Sequence, residues 1–161
     1  MRVLGIDPGT ASCGYGVVEG DGRRLRCITY GRWSSTARDP LEERLRRIFE
    51  GVQELIAAIP LDAMAVEESV VGADARIALS VGQARGAILV AASTLGVACT
   101  EISPTRVKQT VCGYGRAEKS QVQRMVRTIL ALDQEPPTHE ADALAVAICH
   151  AMASPLARLA R

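Results

Sequence analysis

Four side chains in this 161-residue chain stand where chemistry could be done: Asp7, Glu67, His139 and Asp142. Asp7 ends a short apolar run, Val3–Ile6, of the kind that makes a strand buried on both faces, and Pro8-Gly9 forces a turn behind it. An acid in that place can cap the turn through backbone amides, or it can hold a cation or a proton. Ala63–Val66 repeats the design and runs into Glu67-Glu68. His139 and Asp142 stand at i and i+3 in the first turn of a predicted last helix, hence on one face. The helix dipole alone favours an acid there. Asp142, however, leads into Ala143–Ile148, apolar enough to pack on a sheet, which turns the acid inward; a semi-buried acid needs a partner or a metal. Carboxylate-rich sites suit Mg²⁺ or Mn²⁺, and imidazole is tolerated better by Mn²⁺. Two such ions roughly 4 Å apart are the usual apparatus for hydrolysing a phosphodiester.

The elements around these residues follow from pattern. Gly14–Val18 resumes a strand after the Pro8-Gly9 turn, and Asp21-Gly22 reads as a second tight turn into a third strand, Arg23–Trp33, with Leu25, Cys27 and Ile28 inward. Three meandering antiparallel strands therefore open the chain. Ser34–Pro40 is a polar loop. Leu41–Ile59 carries Leu41, Leu45, Ile48, Val52, Leu55, Ile56 and Ile59 at helical steps and stops at Pro60. A strand, helix, strand crossover of this length predicts parallel, adjacent strands, so that Asp7 and Glu67 lie side by side. Val70–Asp74 is a loop. Ala75–Leu95 is a long helix whose small residues (Gly82, Ala84, Gly86, Ala87, Ala91, Ala92) admit a close neighbour. Val97–Ile102 is a strand, and Ser103 caps a helix with Pro104 at its first position, running through Val111. After Gly113-Tyr114-Gly115 comes a helix over Ala117–Leu132, and after Pro136-Pro137 the last helix, Thr138–Met152, with Thr138 as its expected N-cap. The chain reads as one domain, 1–152, with a short tail, 153–161.

Composition narrows the classes. A hydrophobic content of 48% excludes a disordered chain. The longest apolar stretch, Gly86–Ala98, is broken by Ser93 and Thr94 and is too short for a membrane span. No basic segment followed by an apolar run opens the chain, so no signal peptide is expected. Five cysteines, odd in number and without a C-x-x-C pair, argue for reduced thiols in a cytoplasmic protein, with neither a disulfide framework nor a zinc cluster. The net charge of +1 hides an asymmetry: residues 76–127 carry eight basic side chains (Arg76, Arg85, Arg106, Lys108, Arg116, Lys119, Arg124, Arg127) against Glu101 and Glu118. A solvated helix surface explains such a stretch, and so does a face that meets a polyanion.

Five ordered blocks carry a resemblance: GIDPGT…GYGVV, AVEE, VGQARGAILVAA, RVKQTVCGYGRAEKSQVQRMVR and HEADALAVAICH. Together, from residue 2 to about 150, they resemble the RuvC family of Holliday-junction resolvases. The resemblance implies an α/β, RNase H-like fold: a mixed five-stranded sheet, its first three strands antiparallel, flanked by helices. It implies a homodimeric, divalent-metal-dependent endodeoxyribonuclease of recombination and DNA repair. Such an enzyme binds four-way DNA junctions and nicks two like-polarity strands symmetrically, leaving 5′-phosphate and 3′-hydroxyl ends. It works with a branch-migration motor of the RuvA and RuvB type. The family's metal-binding acids fall on Asp7, Glu67 and Asp142, and a fourth ligand, Asp or His in different members, falls on His139. Family DNA-contacting lysines fall on Lys108 and Lys119, the two lysines of a chain whose other basic residues are all arginine. A retained lysine suits a compact point charge beside a phosphate. Arg76, Arg85 and Arg116 are further candidates for DNA contact.

The chain departs from the family in one loop. Val70 stands where an aromatic is common, and Ala73-Asp74 where Lys-Asn is common. Stacking on an opened junction needs a π-face, so Val70 or Val71 can act only as an apolar wedge. Glu68 is expected to be an acid behind the ligands or facing solvent, and not a ligand itself. Three other readings compete. A junction-binding adaptor without cleavage would not need an intact ligand set. An actin-like phosphotransferase would need a second phosphate loop and a larger partner domain. An RNA-processing nuclease would share the fold, and the basic 76–127 stretch does not separate it from a DNA enzyme.

Overall fold

The computed structural model describes residues 1–21, 24–68 and 75–153. Alternating apolar residues build β1 (Arg2–Asp7), β2 (Ser12–Gly20) and β3 (Leu25–Ser34), an antiparallel meander. A bulge at Val17/Val18 shifts the register of β2 on β3 by one residue, and Leu25 and Cys27 pack towards one face of the sheet while Ile28 packs towards the other. The chain then forms α1 (Leu41–Ala58) and returns as β4 (Ala63–Glu67), parallel to β1. A second crossover, α2 (Ala75–Thr94), leads to β5 (Cys99–Ile102), parallel to β4. The sheet order is β3-β2-β1-β4-β5, a mixed five-stranded sheet with β1 at its centre. The antiparallel opening meander, the five-stranded mixed sheet and the parallel, adjacent β1 and β4 agree with the expectation from sequence.

Two layers of helix cover the sheet. On one face, Leu4, Ile6, Val17, Met64 and Val66 pack against Ile48 and Val52 of α1 and against Ala84, Ile88, Ala91 and Ala92 of α2. On the other, α5 (Thr138–Met152) lies across the sheet and buries Leu144 to Cys149 against Val3, Val18 and Ala65. Its outer side is covered by α3 (Pro104–Cys112) and α4 (Lys119–Ile129) through Val107, Val111, Val122 and Val126. Burial on both sides explains why α5 is apolar nearly all round.

Three expectations need correcting. α4 begins at Lys119 and not at Ala117, because Glu118 and Gln121 form a reciprocal capping box, each side chain bonded to the other's backbone N–H. Pro137, not Thr138, is the N-cap of α5, and Thr138 is already helical. In α2, a Cβ added at Gly82 or Gly86 would meet nothing within 4 Å, so those glycines admit no close neighbour among the described residues; Ala84, Ala91 and Ala92 do. The 20-residue α2 is also long and apolar enough to cross a membrane by length and composition, although the shorter run read from sequence was not. Its buried stripe packs on the sheet, while Ile77 and Leu79 (64% exposed each) and Val90 (56%) face outward. All five cysteines are free thiols.

Candidate active site

Strand register assembles the site. β1 and β4 pair in parallel with Gly5 opposite Ala65 and Ile6 opposite Val66, so Asp7 and Glu67 are the next pair beyond. The two-residue pleat puts both acids on the face of Val3, Gly5 and Ala65, the face that α5 covers. Asp7 is also directly opposite Gly14 in β2. A Cβ at Gly14 would stand 2.2 Å from the carbonyl oxygen of His139, and one at Gly5 would stand 2.1 Å from that of Ala143. These two bare positions let the start of α5 descend onto the strand ends. His139 Nδ1 thereby reaches Asp7 Oδ2 at 2.8 Å, although the residues are 132 apart in sequence. On the far side of α5's first turn, Lys119 Nζ lies 3.6 Å from Asp142 Oδ2.

The electrostatics show what the cluster lacks. Burial, then the charges of Asp7 and Asp142, push the Glu67 carboxyl up to about 7. Asp7 is raised by burial against the hydrogen bond and charge of His139. Asp142 is raised by burial and by Asp7, with Lys119 acting the other way. Asp7 raises both Glu67 and Asp142, and Asp142 raises Glu67 further, against the opposing charges of His139 and Lys119; a multiply charged cation is what such a set fits. Among the described residues no three of these side chains close on a common point as a formed metal shell. His139 turns to Asp7 and Lys119 to Asp142 instead.

The other sequence candidates are placed less uniformly. Lys108, on α3, is close enough for its charge to act on Glu67. Arg76, in the first turn of α2, lines with Asp7 and His139 a cavity of about 410 Å³. Arg85 is instead engaged with Glu101 of β5, and its Nε is buried without a hydrogen-bond partner, so its guanidinium is not part of the acid cluster. Arg116 is exposed between α3 and α4. Val70, with the whole departure at 70–74, lies outside the described residues. Glu68 is exposed, and its backbone N–H donates to Ile102 O.

Sequence reasoning missed Glu140, Thr10 and Arg44. Glu140 is 6% exposed, with Arg32 Nε 3.7 Å from one carboxylate oxygen and the other buried without a hydrogen bond; its charge adds to the rise at Asp7. Being next to His139 was its only signal. Arg44 and Thr10 meet across 34 residues, a contact that spacing cannot reveal.

An RNase H-like sheet with carboxylates at the ends of adjacent central strands, met by acid and histidine from a crossing helix, defines a nuclease of the resolvase class. A family model for Crossover junction endodeoxyribonuclease RuvC matches residues 3–150. Crossover junction endodeoxyribonuclease RuvC of Heliobacterium modesticaldum is 51% identical over 150 residues, covering 92% of this chain and 93% of the relative. Among solved structures, T. thermophilus RuvC in complex with Holliday junction substrate superposes with a TM-score of 0.91 at 40% identity, covering 99% of this chain and 96% of that one. The yeast mitochondrial Holliday junction resolvase shares the fold alone, with a TM-score of 0.64 at 11% identity over 94% of this chain and 79% of its own. The chain belongs to the RuvC family.

Two substitutions follow from the cluster. Without divalent ions, Glu67 is protonated in the folded protein up to pH about 7 but, once unfolded, only to its usual carboxyl value of 4.5. The folded state therefore binds the extra proton between those values, and stability falls as pH rises through that window. Glu67→Gln should melt at least about 5 °C above the parent at pH 8 in EDTA, with the gap shrinking towards pH 4.5 and on adding Mn²⁺ to the parent. Melting curves across that pH range check it; a gap independent of pH would contradict it. Glu68→Gln, on the exposed side, should leave metal-dependent cleavage within about twofold, and loss of cleavage would show that Glu68 reaches the reaction.

Proposed function

We propose that this chain resolves four-way DNA junctions by divalent-metal-dependent hydrolysis, nicking two like-polarity strands symmetrically in recombination and repair. The observation that carries the reading is the convergence of Asp7, Glu67 and Asp142 on one face at the end of β1 and β4 in a chain of the RuvC family. Asp7, Glu67, Asp142 and His139 would hold Mg²⁺ or Mn²⁺, two ions per site. Such ions supply a Lewis acid and lower the pKa of bound water. The protein's own residues do the rest. His139, bonded to Asp7 Oδ2, fixes that carboxylate's orientation. Gly14 and Gly5 hold the first turn of α5 on the strand ends. Lys119, whose side chain is 70% exposed, presents its ammonium to solvent beside Asp142, and Lys108 adds positive charge on the Glu67 side. Both suit backbone phosphates.

Two symmetric nicks need two sites, and the outward apolar residues of α2 (Ile77, Leu79, Val90) suit the contact of a homodimer. The reading places the nuclease in one domain, 1–152, with 153–161 as a tail. It has the enzyme act in the cytoplasm with a motor of the RuvA and RuvB type and without a membrane. Incubating the protein with a four-way junction and a linear duplex, in EDTA, Mg²⁺ or Mn²⁺, tests it. Metal-dependent cutting of the junction alone is expected. Tight junction binding without cutting in either metal would favour the adaptor.

A further inference from the structure

Beside the acid cluster, on the α1 side of the turn after β1, the cavity of about 410 Å³ reaches from Asp7 and His139 to Arg44 on α1 and to Arg76 and Ser80 on α2. Arg44 is built into its wall. Its Nε donates to Thr10 O (3.2 Å) and Ser35 Oγ (3.1 Å), and Nη2 donates to Thr10 Oγ1 (2.6 Å). Ser35 Oγ itself donates to Thr10 O at 2.6 Å. None of these acceptors is a carboxylate, and among the described residues no acid lies within salt-bridge distance of Arg44. Its neighbours on α1 and the preceding loop are paired elsewhere: Glu43 with Arg46, and Asp39 with Arg47. Nη1 has no partner among the described residues.

Hydroxyl protons can be counted as well. Thr10 Oγ1 accepts from Arg44 and shares one hydrogen bond with Ser80 Oγ, in which either hydroxyl can be the donor. Whichever of the two accepts in that bond keeps a proton that has no acceptor among the described residues. Ser12 lines the same cavity, and its Oγ is buried with no hydrogen-bond partner. The wall therefore offers a guanidinium edge and two hydroxyl donors, all in excess of acceptors. A partly buried, half-coordinated arginine with surplus donors around it is an anion site, and a planar fork suits phosphate.

Resting on the proposed function, we infer that this cavity binds a backbone phosphate of the cut strand next to the one hydrolysed. Arg44 is its anchor, with Ser80 and Ser12 as further donors. The cavity opens onto Asp7, so a strand seated over the acid cluster runs directly into it. Arg44 and Thr10 then position the scissile bond by holding its neighbour.

Junctions carrying one neutral methylphosphonate, moved stepwise along the cut strand, test this. The parent protein should lose about tenfold in cleavage rate at one uncut phosphate beside the nick. Arg44→Gln should cut the unmodified junction about tenfold more slowly and show no further loss at that phosphate, with its salt dependence shallower by about 0.9 in log–log slope. Ser80→Ala leaves the Arg44 brace in place and should shrink the penalty at the same phosphate about threefold, which decides the matter alone if Arg44→Gln does not fold. An undiminished penalty in the folded variants, or no penalty in the parent at any uncut phosphate, would overturn the site. A parent that cuts no junction at all would instead overturn the proposed function.

Discussion

Asp7→Asn should abolish junction cleavage, by at least about 10³-fold, while junction affinity changes by less than about threefold. The carboxylate lies at the centre of the cluster: it bonds to His139, and its charge raises both Glu67 and Asp142. Removing one charged ligand costs several kcal/mol of cation and transition-state stabilisation, and each 1.36 kcal/mol is tenfold in rate. On the proposed reading binding rests on other groups, Lys108 and Lys119 at the rim, and an asparagine oxygen can still accept from His139. The variant should also melt higher than the parent in EDTA at pH 8, because it relieves the same repulsion that burdens Glu67. Rates on a labelled junction, with gel-shift affinities measured in parallel, check the separation. Equal loss of binding and cutting would mean that Asp7 supports the fold or the DNA face instead.

Gly14→Ala should lower cleavage by about 100-fold or more without touching any ionisable group. The added carbon would lie 2.2 Å from His139 O and 2.6 Å from its carbonyl carbon, and both are backbone atoms that cannot rotate away. The start of α5 must lift, or β2 must move from β1; either separates His139 and Asp142 from the strand-end acids. A displacement of about 1 Å in a catalytic constellation is enough for such a loss. Overpacking should also cost about 1–3 kcal/mol of stability. Melting and cleavage measured on one preparation distinguish the effects: a folded variant at the parent's cleavage rate would show that α5's height over the sheet is not critical.

Much of the site was legible in sequence because it is written in local patterns. Each strand-end acid follows a short apolar run, and His139 and Asp142 share a helix face by spacing alone. Crossover geometry then predicts that Asp7 and Glu67 lie side by side, which the register of β1 and β4 bears out. What stayed hidden depends on partners distant in the chain. Gly14 reads as an ordinary strand glycine until His139, 125 residues on, is placed above it. Arg44 reads as one more surface charge on an amphipathic helix until Thr10 and Ser35 are seen to hold it. Arg85 counts towards a basic stretch by composition, whereas its pairing with Glu101 needs the position of β5. The α4 cap was in view as Glu118 and Gln121, but an apolar Ala117 beside a buried face drew the helix start two residues early.

The central claim is that Asp7, Glu67, Asp142 and His139 form a metal-dependent centre that cuts a junction in pairs. Its most direct test is a synthetic four-way junction, labelled on each strand in turn, incubated with the protein in EDTA or Mn²⁺ and resolved on a denaturing gel. The account predicts nicks at symmetric positions on two like-polarity strands, in Mn²⁺ only, with ends that ligase can reseal. Cutting that persists in EDTA, or that falls equally on all strands and on linear duplex, would contradict it.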